Sequence, residues 1–334
     1  MNQLFLAACH KDSEVEKKSS SGGAFTAITD AWFDDYGDKA VVYGCVFDEF
    51  LNVKHIRADS REQRDRMRGS KYVVSDVSGI YKSVAEDIKS GFFVAFSGTP
   101  CQIAALQSFL GIKKIDTSQN LLTIEVICNG VGNNRFFRDY IDHLEKKYKG
   151  KAISCNFRGK SNIGSSTTME IDFDNGKRYR ASSTRFDWFY SLYYGGYLKK
   201  DACFRCPYAS LERNADISIA DMRTLDGSHN DKLKSLIIVN SGHGFSWIER
   251  AKKDIEFEAV SVESLAQPRL YKASEKPADY DRFWDIYEKQ GYLAAQRFAG
   301  NNTFKGHSKS FVANAMSVLH LNVIFRKLRN IIKK

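Results

Sequence analysis

The sequence predicts an α/β fold: a mixed β-sheet flanked by helices, with a helical C-terminal region. Three observations carry this. Helix-like and strand-like patterns alternate through the first half of the chain. An Asn175-Gly176 pair flanked by alternating apolar residues marks an antiparallel hairpin. After Phe283 the apolar spacing is helical.

Taken in order, residues 24–36 carry apolar side chains at helical spacing. Strand-like runs follow at 41–47 and 53–57, joined by the acidic turn Asp48-Glu49, which suggests a hairpin. Helical pattern resumes at 80–89. Residues 92–96 read as a buried strand, 99–110 as a helix, 121–127 as another buried strand and 134–149 as a helix. The Asn175-Gly176 hairpin joins 168–173 to 177–181, and short strands at 216–220 and 235–240 flank a polar loop. The division expected is a domain over 1–245 followed by a helical region over 246–334.

Hydrophobic residues make up 43% and charged residues 27% of the 334 positions, ordinary for a globular protein and too apolar for a disordered one. The net charge of +10 raises nucleic acid as a partner. The basic residues are interspersed with acids, however, and no zinc-finger, RNA-binding or basic-zipper spacing accompanies them, so no nucleic-acid partner is expected. A positive field equally suits anionic small molecules. The opening residues Met1–His10 read as a strand rather than a signal peptide, and no 18 apolar residues run uninterrupted. The expectation is a cytoplasmic protein. The basic, amphipathic segment 311–334 is either a terminal helix packed on the body or a peripheral contact with the inner face of the membrane.

In a reducing compartment, seven cysteines point to thiols or metal ligands rather than disulfides. Cys203-Phe204-Arg205-Cys206 lets two sulfurs turn toward one metal, and Pro207 follows as in some ferredoxin runs. By itself the spacing also fits a redox dithiol or half a zinc site, but the βαβ context of a dithiol is missing. Cys101 follows Thr99 and Pro100, an N-cap and first helical residue, in a first turn whose free amides favour a thiolate. Cys128 ends the strand 121–127. Both lie at strand ends, on one edge if their strands are parallel, which is where such sheets place ligands. Spacing alone leaves each equally open to being a small buried residue, and Cys9, Cys45 and Cys155 are read that way.

Two loops suit anions. Ser19-Ser20-Ser21-Gly22-Gly23 opens the first long helix, and Arg68-Gly69-Ser70-Lys71-Tyr72 offers two cations, a glycine and an aromatic. With the Ser97-Gly98-Thr99 junction they provide three phosphate contacts for a large anionic cofactor.

These segments resemble the coenzyme F420 hydrogenase/dehydrogenase beta-subunit family. The likeness runs through Ser20-Ser21-Gly22-Gly23, Gly69-Ser70-Lys71-Tyr72, Gly98-Thr99-Pro100-Cys101, Cys128-Asn129-Gly130, Cys203-Phe204-Arg205-Cys206-Pro207 and Ala215-Asp216-Ile217-Ser218, over roughly residues 4–245. The resemblance implies that Cys101, Cys128, Cys203 and Cys206 ligate one 4Fe-4S cluster. It also implies FAD contacted by Ser20, Ser21, Gly22, Gly23, Ser70, Lys71 and Tyr72; Thr99, in the anion-binding junction, and Asn129 are further candidate polar contacts to flavin or substrate. Relatives often carry a ferredoxin-like module ahead of the serine–glycine turn. Its lack here implies a separate ferredoxin-like electron-transfer partner. Asn129 stands where histidine is common, and Ala220-Asp221-Met222-Arg223 replaces a usual Gly-Asp-Phe-Trp.

The function expected is an oxidoreductase subunit relaying electrons between a 4Fe-4S cluster and FAD, to or from a flavin- or deazaflavin-like small molecule. The bacterial relatives it resembles accompany exopolysaccharide biosynthesis. The rival reading is a non-redox accessory protein of surface-polysaccharide assembly with a four-cysteine zinc site. No general acid or base is assigned.

Overall fold

The computed structural model describes residues 3–159, 168–182, 187–226 and 234–299. From the N-terminus come β1 (Leu4–His10), α1 (Ser13–Lys18), α2 (Ala24–Tyr36), β2 (Ala40–Phe47), β3 (Val53–Ala58), α3 (Arg61–Asp65), α4 (Ile80–Lys89), β4 (Phe93–Gly98), α5 (Pro100–Ile112) and β5 (Leu121–Val126). Then follow α6 (Asn134–Tyr148), β6 (Ala152–Gly159), β7 (Thr168–Phe173), β8 (Arg178–Ser182) and α7 (Trp188–Tyr194). The rest are β9 (Ile217–Asp221), β10 (Ser235–Val239), α8 (Gly242–Ala251), β11 (Ile255–Ala259), α9 (Tyr280–Gln290) and α10 (Tyr292–Ala299). The expected α/β class, mixed sheet and helical C-terminal region are all present.

The chain divides into two compact units. One comprises the residues through Val131 together with Lys200–Ser274, the other Gly132–Lys199 with the described residues from Glu275 on. The contacts therefore do not part at residue 245. Beyond it, β11 still adds an edge strand to β1, with Ala7 opposite Glu258, so this stretch belongs to the first unit's sheet.

The first unit is built on an eight-stranded sheet in the order β11-β1-β10-β9-β5-β4-β2-β3. Strands β2, β4, β5 and β9 run parallel to their neighbours among these four, while β3, β10, β1 and β11 add antiparallel pairs. Helices cover both faces, which explains why β2 reads as an almost unbroken apolar run. Its Val42 and Val46 join one core with Trp32 of α2 and Trp247 of α8. Its Val41 and Tyr43 face the other way, into a core with Val84 of α4 and Leu106 of α5. Period-two alternation makes this division automatic.

The second unit holds the three-stranded antiparallel sheet β6-β7-β8. The hairpin turns at Asn175-Gly176, where Gly176 adopts φ 77°, open to glycine without strain. In α6 the spacing of Phe136, Phe137, Tyr140, Ile141 and Leu144 buries one stripe. Phe137 packs on Phe157 of β6 and Phe189 of α7, with ring centroids 5.5 and 5.3 Å apart. Strand β6 was not legible in the sequence, because its burial does not alternate and its pairing with β7 is interrupted by register shifts.

Candidate functional site

Parallel pairing brings the ends of β4 and β5 together, with Gly98 opposite Glu125. Cys101 and Cys128 follow those ends, so both leave the same edge of the sheet, as expected for ligands of an α/β fold. Thr99 is the N-cap of α5 and Pro100 its first residue. Gln102 reaches back so that its Oε1 accepts the Thr99 N–H at 2.9 Å, fixing the turn. The Thr99 hydroxyl lies 3.2 Å from Cys101 Sγ, and Cys101 itself is exposed. After β5 the chain turns through Gly130, at φ 95°, whose N–H donates to Cys128 Sγ at 3.3 Å.

Cys203 and Cys206 lie in and just after the short 3-10 turn Asp201–Arg205. The Cys206 sulfur receives backbone N–H groups from Tyr208 and Ala209. Burial raises the Cys206 thiol, and Cys101 and Cys203 raise it further. Cys128 is pushed up to about 12, first by burial and then by the charges of Cys203, Cys101 and Cys206. Three separate chain segments thus place four thiols within one another's electrostatic reach. Among the described residues, no three His, Cys, Asp or Glu side chains are arranged as ligands of a single ion. The donor chemistry fits an iron–sulfur centre: four sulfurs, two of them holding N–H donors of the kind that stabilise sulfur-bound charge. A bound cationic centre would also relieve the mutual repulsion that raises Cys128 and Cys206.

The two proposed flavin loops meet directly: the Ser70 N–H donates to Ser20 Oγ at 2.7 Å. Arg68 Nε donates to Thr26 Oγ1 at 3.0 Å, a second tie between that loop and α2. The serines do not cap α2. Its N-cap is Gly23, at φ 85° and with no side-chain cap bond, while the Ser21 hydroxyl donates to the Lys234 carbonyl at 2.6 Å. Gly22 is required by close approach, since a Cβ there would lie 2.2 Å from the Ala8 carbonyl oxygen and 2.6 Å from the Ser235 nitrogen. Around Gly69, at φ 87°, a Cβ would meet nothing within 4 Å. This glycine-lined backbone beside a helix start fits a phosphorylated cofactor such as FAD.

Lys71 is more committed than its sequence position suggests. Its ammonium donates to the carbonyls of Met67, Arg68 and Gly69 at 3.0–3.1 Å, closing its own loop. Tyr72 is half-buried beside it. The Asn129 carbonyl accepts from Ser274 Oγ at 3.4 Å.

Two features went unremarked in the sequence, and a third, Asp216, entered it only as part of the family likeness. His55, on β3, is buried and contacts the Ser97 carbonyl through Nε2 at 3.0 Å. A carbonyl only accepts, so Nε2 carries the proton, and Nδ1 has no partner among the described residues. Burial lowers the imidazole to about 4, with the Lys71 charge adding to the effect. His55 therefore ties β3 to the Ser97–Thr99 junction at the end of β4. Glu125 and Arg213 form a buried ion pair beside Cys128 and the Cys206 turn, with Nε and Oε1 3.1 Å apart. A glutamate inside the apolar run Leu121–Val126 was the available signal. Asp216 accepts from Thr123 N–H and Oγ1 and from Ser241 Oγ, tying β5, β9 and α8 together.

Among the described residues no helix is long and apolar enough to cross a membrane, and segment 311–334 lies outside them.

No curated protein matches the sequence. A chain of the xenon-derivatised F420-reducing NiFe hydrogenase complex from Methanosarcina barkeri has a similar fold. It matches with TM-score 0.52 at 16% identity, over 88% of this chain and 90% of that one. Residues 93–264, which contain all four clustered cysteines, match the family model for the C terminus of the coenzyme F420 hydrogenase/dehydrogenase beta subunit. The chain belongs to the coenzyme F420 hydrogenase/dehydrogenase beta-subunit family.

Proposed function

We propose that the protein is an iron–sulfur flavoprotein oxidoreductase subunit that passes electrons between a 4Fe-4S cluster and FAD. The observation that carries this is the convergence of Cys101, Cys128, Cys203 and Cys206, the other three thiols each acting on Cys128. Cysteine sulfurs would hold the cluster. The joined loops at Ser20–Gly23 and Ser70–Tyr72 would hold the FAD phosphates, with Thr99 and Asn129 as further polar contacts. When bound, the cluster supplies one-electron transfer and the flavin converts it to two-electron chemistry.

The chain's own residues orient these groups. Gly130, Tyr208 and Ala209 direct N–H donors at sulfur, which sets how much negative charge the site tolerates. His55, neutral at ordinary pH and donating to the Ser97 carbonyl, steadies the strand end ahead of Thr99. Exposed Cys101 places one side of the sulfur site at the surface, where a separate ferredoxin-like protein could deliver electrons. A flavin- or deazaflavin-like acceptor, a setting in exopolysaccharide biosynthesis and a cytoplasmic location complete the reading, as the family resemblance implies.

Anaerobic purification tests it. The expected preparation is brown, bleaches with dithionite, releases yellow flavin on denaturation and contains iron and sulfide in 4Fe-4S proportion. Cys128→Ser should lose most of the iron and the visible absorption. Colourless protein holding stoichiometric zinc, or a Cys128→Ser protein with unchanged iron, would overturn the assignment.

A further inference from the structure

The Arg213 and Glu125 side chains are each only 1% exposed. Glu125 precedes Cys128 by three residues in the strand that delivers it, and its Oε1 also accepts the Ser218 hydroxyl at 2.7 Å. Arg213 Nη1 donates to the carbonyl of Tyr208, two residues beyond Cys206, at 2.6 Å. One guanidinium thus joins the Cys206 turn to the strand carrying Cys128. Arg213 Nε and Nη2 and Glu125 Oε2 make no hydrogen bond among the described residues, so charge alone holds the pair together. A buried ion pair with unfilled valences is a weak stabiliser, since desolvation offsets most of its attraction. Its location gives it another use: the Arg213 charge acts on Cys206 as well as on Glu125.

We infer that Arg213 is a positioning residue of the sulfur site, which clamps the Cys206 turn to β5 and places a fixed positive charge there, balanced by Glu125. The inference rests on the proposed iron–sulfur reading. Accepting one electron makes a thiolate-bound centre more negative by one charge. In a low-dielectric surrounding a nearby cation favours that change and a nearby anion opposes it. The two members of the pair therefore pull the reduction potential in opposite directions, which no purely structural role would do.

The test uses the full chain, purified anaerobically. Its midpoint potential is measured by dithionite titration with mediator dyes and followed by electron paramagnetic resonance. Arg213→Gln should lower the potential and Glu125→Gln should raise it. Each change should alter the reduction equilibrium by about tenfold, or about 59 mV for a one-electron couple. Arg213→Lys, which keeps the charge, should stay near wild type. Shifts in the same direction, or none, overturn the inference while leaving the cluster assignment standing. If Arg213→Gln retains no iron, Glu125→Gln decides alone: a raised potential supports the proposal and an unchanged or lowered one defeats it. A wild-type protein without iron would instead refute the underlying reading, and the inference with it.

Discussion

Each unit buries a carboxylate, and the two are treated differently. In the sheet unit, Glu125 keeps its Oε2 without a partner among the described residues, and its ion-pair partner Arg213 likewise keeps an open polar atom. In the other unit, the buried carboxylate of Asp187 has its partners close by. It accepts Tyr140 and Tyr179 hydroxyls at 2.6 and 2.9 Å and the Tyr190 N–H at 2.7 Å. A buried charge that is fully hydrogen-bonded is a structural device. One with an open valence beside glycine turns and cysteines marks where another group belongs. The comparison is between two carboxylates alone, since each unit also buries other polar side chains.

The largest effect should come from the tight backbone approach at the serine–glycine turn of the sheet unit. Gly22→Ala drives a Cβ into backbone atoms of Ala8 and Ser235, and backbone of two paired strands cannot step aside as a side chain can. We expect a loss of about 3 kcal/mol or more in denaturant unfolding, together with loss of flavin. Gly111→Ala, in α5 with nothing near its Cβ position, should instead be neutral or stabilise by about 0.5–1 kcal/mol. Equal effects at the two glycines would show that the turn is not held by close approach.

How far the site could be read beforehand follows from the range of the interactions. Cys203 and Cys206 announce themselves locally through spacing, and Thr99-Pro100 announces the helix that presents Cys101. That Cys128 joins them depends on β4 and β5 pairing in parallel, a relation between segments that no local pattern fixes. The Ser20–Ser70 bond spans 50 positions and likewise has no local signature. His55 was hidden because a histidine within the short run Val53-Lys54-His55-Ile56 carries no local signal, and only the fold reveals what its ring faces. No local pattern marks β11 either, a short strand whose burial does not alternate and which pairs with β1 at the opposite end of the chain.

The pH dependence of stability should be a property of the sheet unit's buried histidine. Folding lowers His55 from 6.5 to about 4, because the charged ring cannot be hydrated where it lies. Between those values the unfolded chain binds a proton that the folded chain refuses. Stability is therefore full above about pH 6.5 and falls as pH drops toward about 4, by up to about 3 kcal/mol at this site. Urea unfolding of wild type and His55→Gln at pH 7 and pH 4.5 measures it. The wild type should lose more on acidification, and parallel losses would remove His55 from the account.

The smallest change should be Asp187→Asn, and it bears most directly on the contrast between the units. The amide preserves one oxygen for the Tyr190 N–H, so the start of α7 stays capped. Its nitrogen, however, now meets two tyrosine hydroxyls that were donating to a carboxylate. Each hydroxyl must rotate to accept instead, and charge-assisted bonds become neutral ones, a loss of about 1–2 kcal/mol. Burial already raises the Asp187 carboxyl, so removing its charge also removes a desolvation penalty, which keeps the net effect small. Iron content, flavin content and midpoint potential should match wild type, since this buried charge serves only its own fold. If Asp187→Asn instead changed any of the three, the closed carboxylate would belong to the redox machinery, and an open valence would no longer distinguish functional from structural charge in this protein.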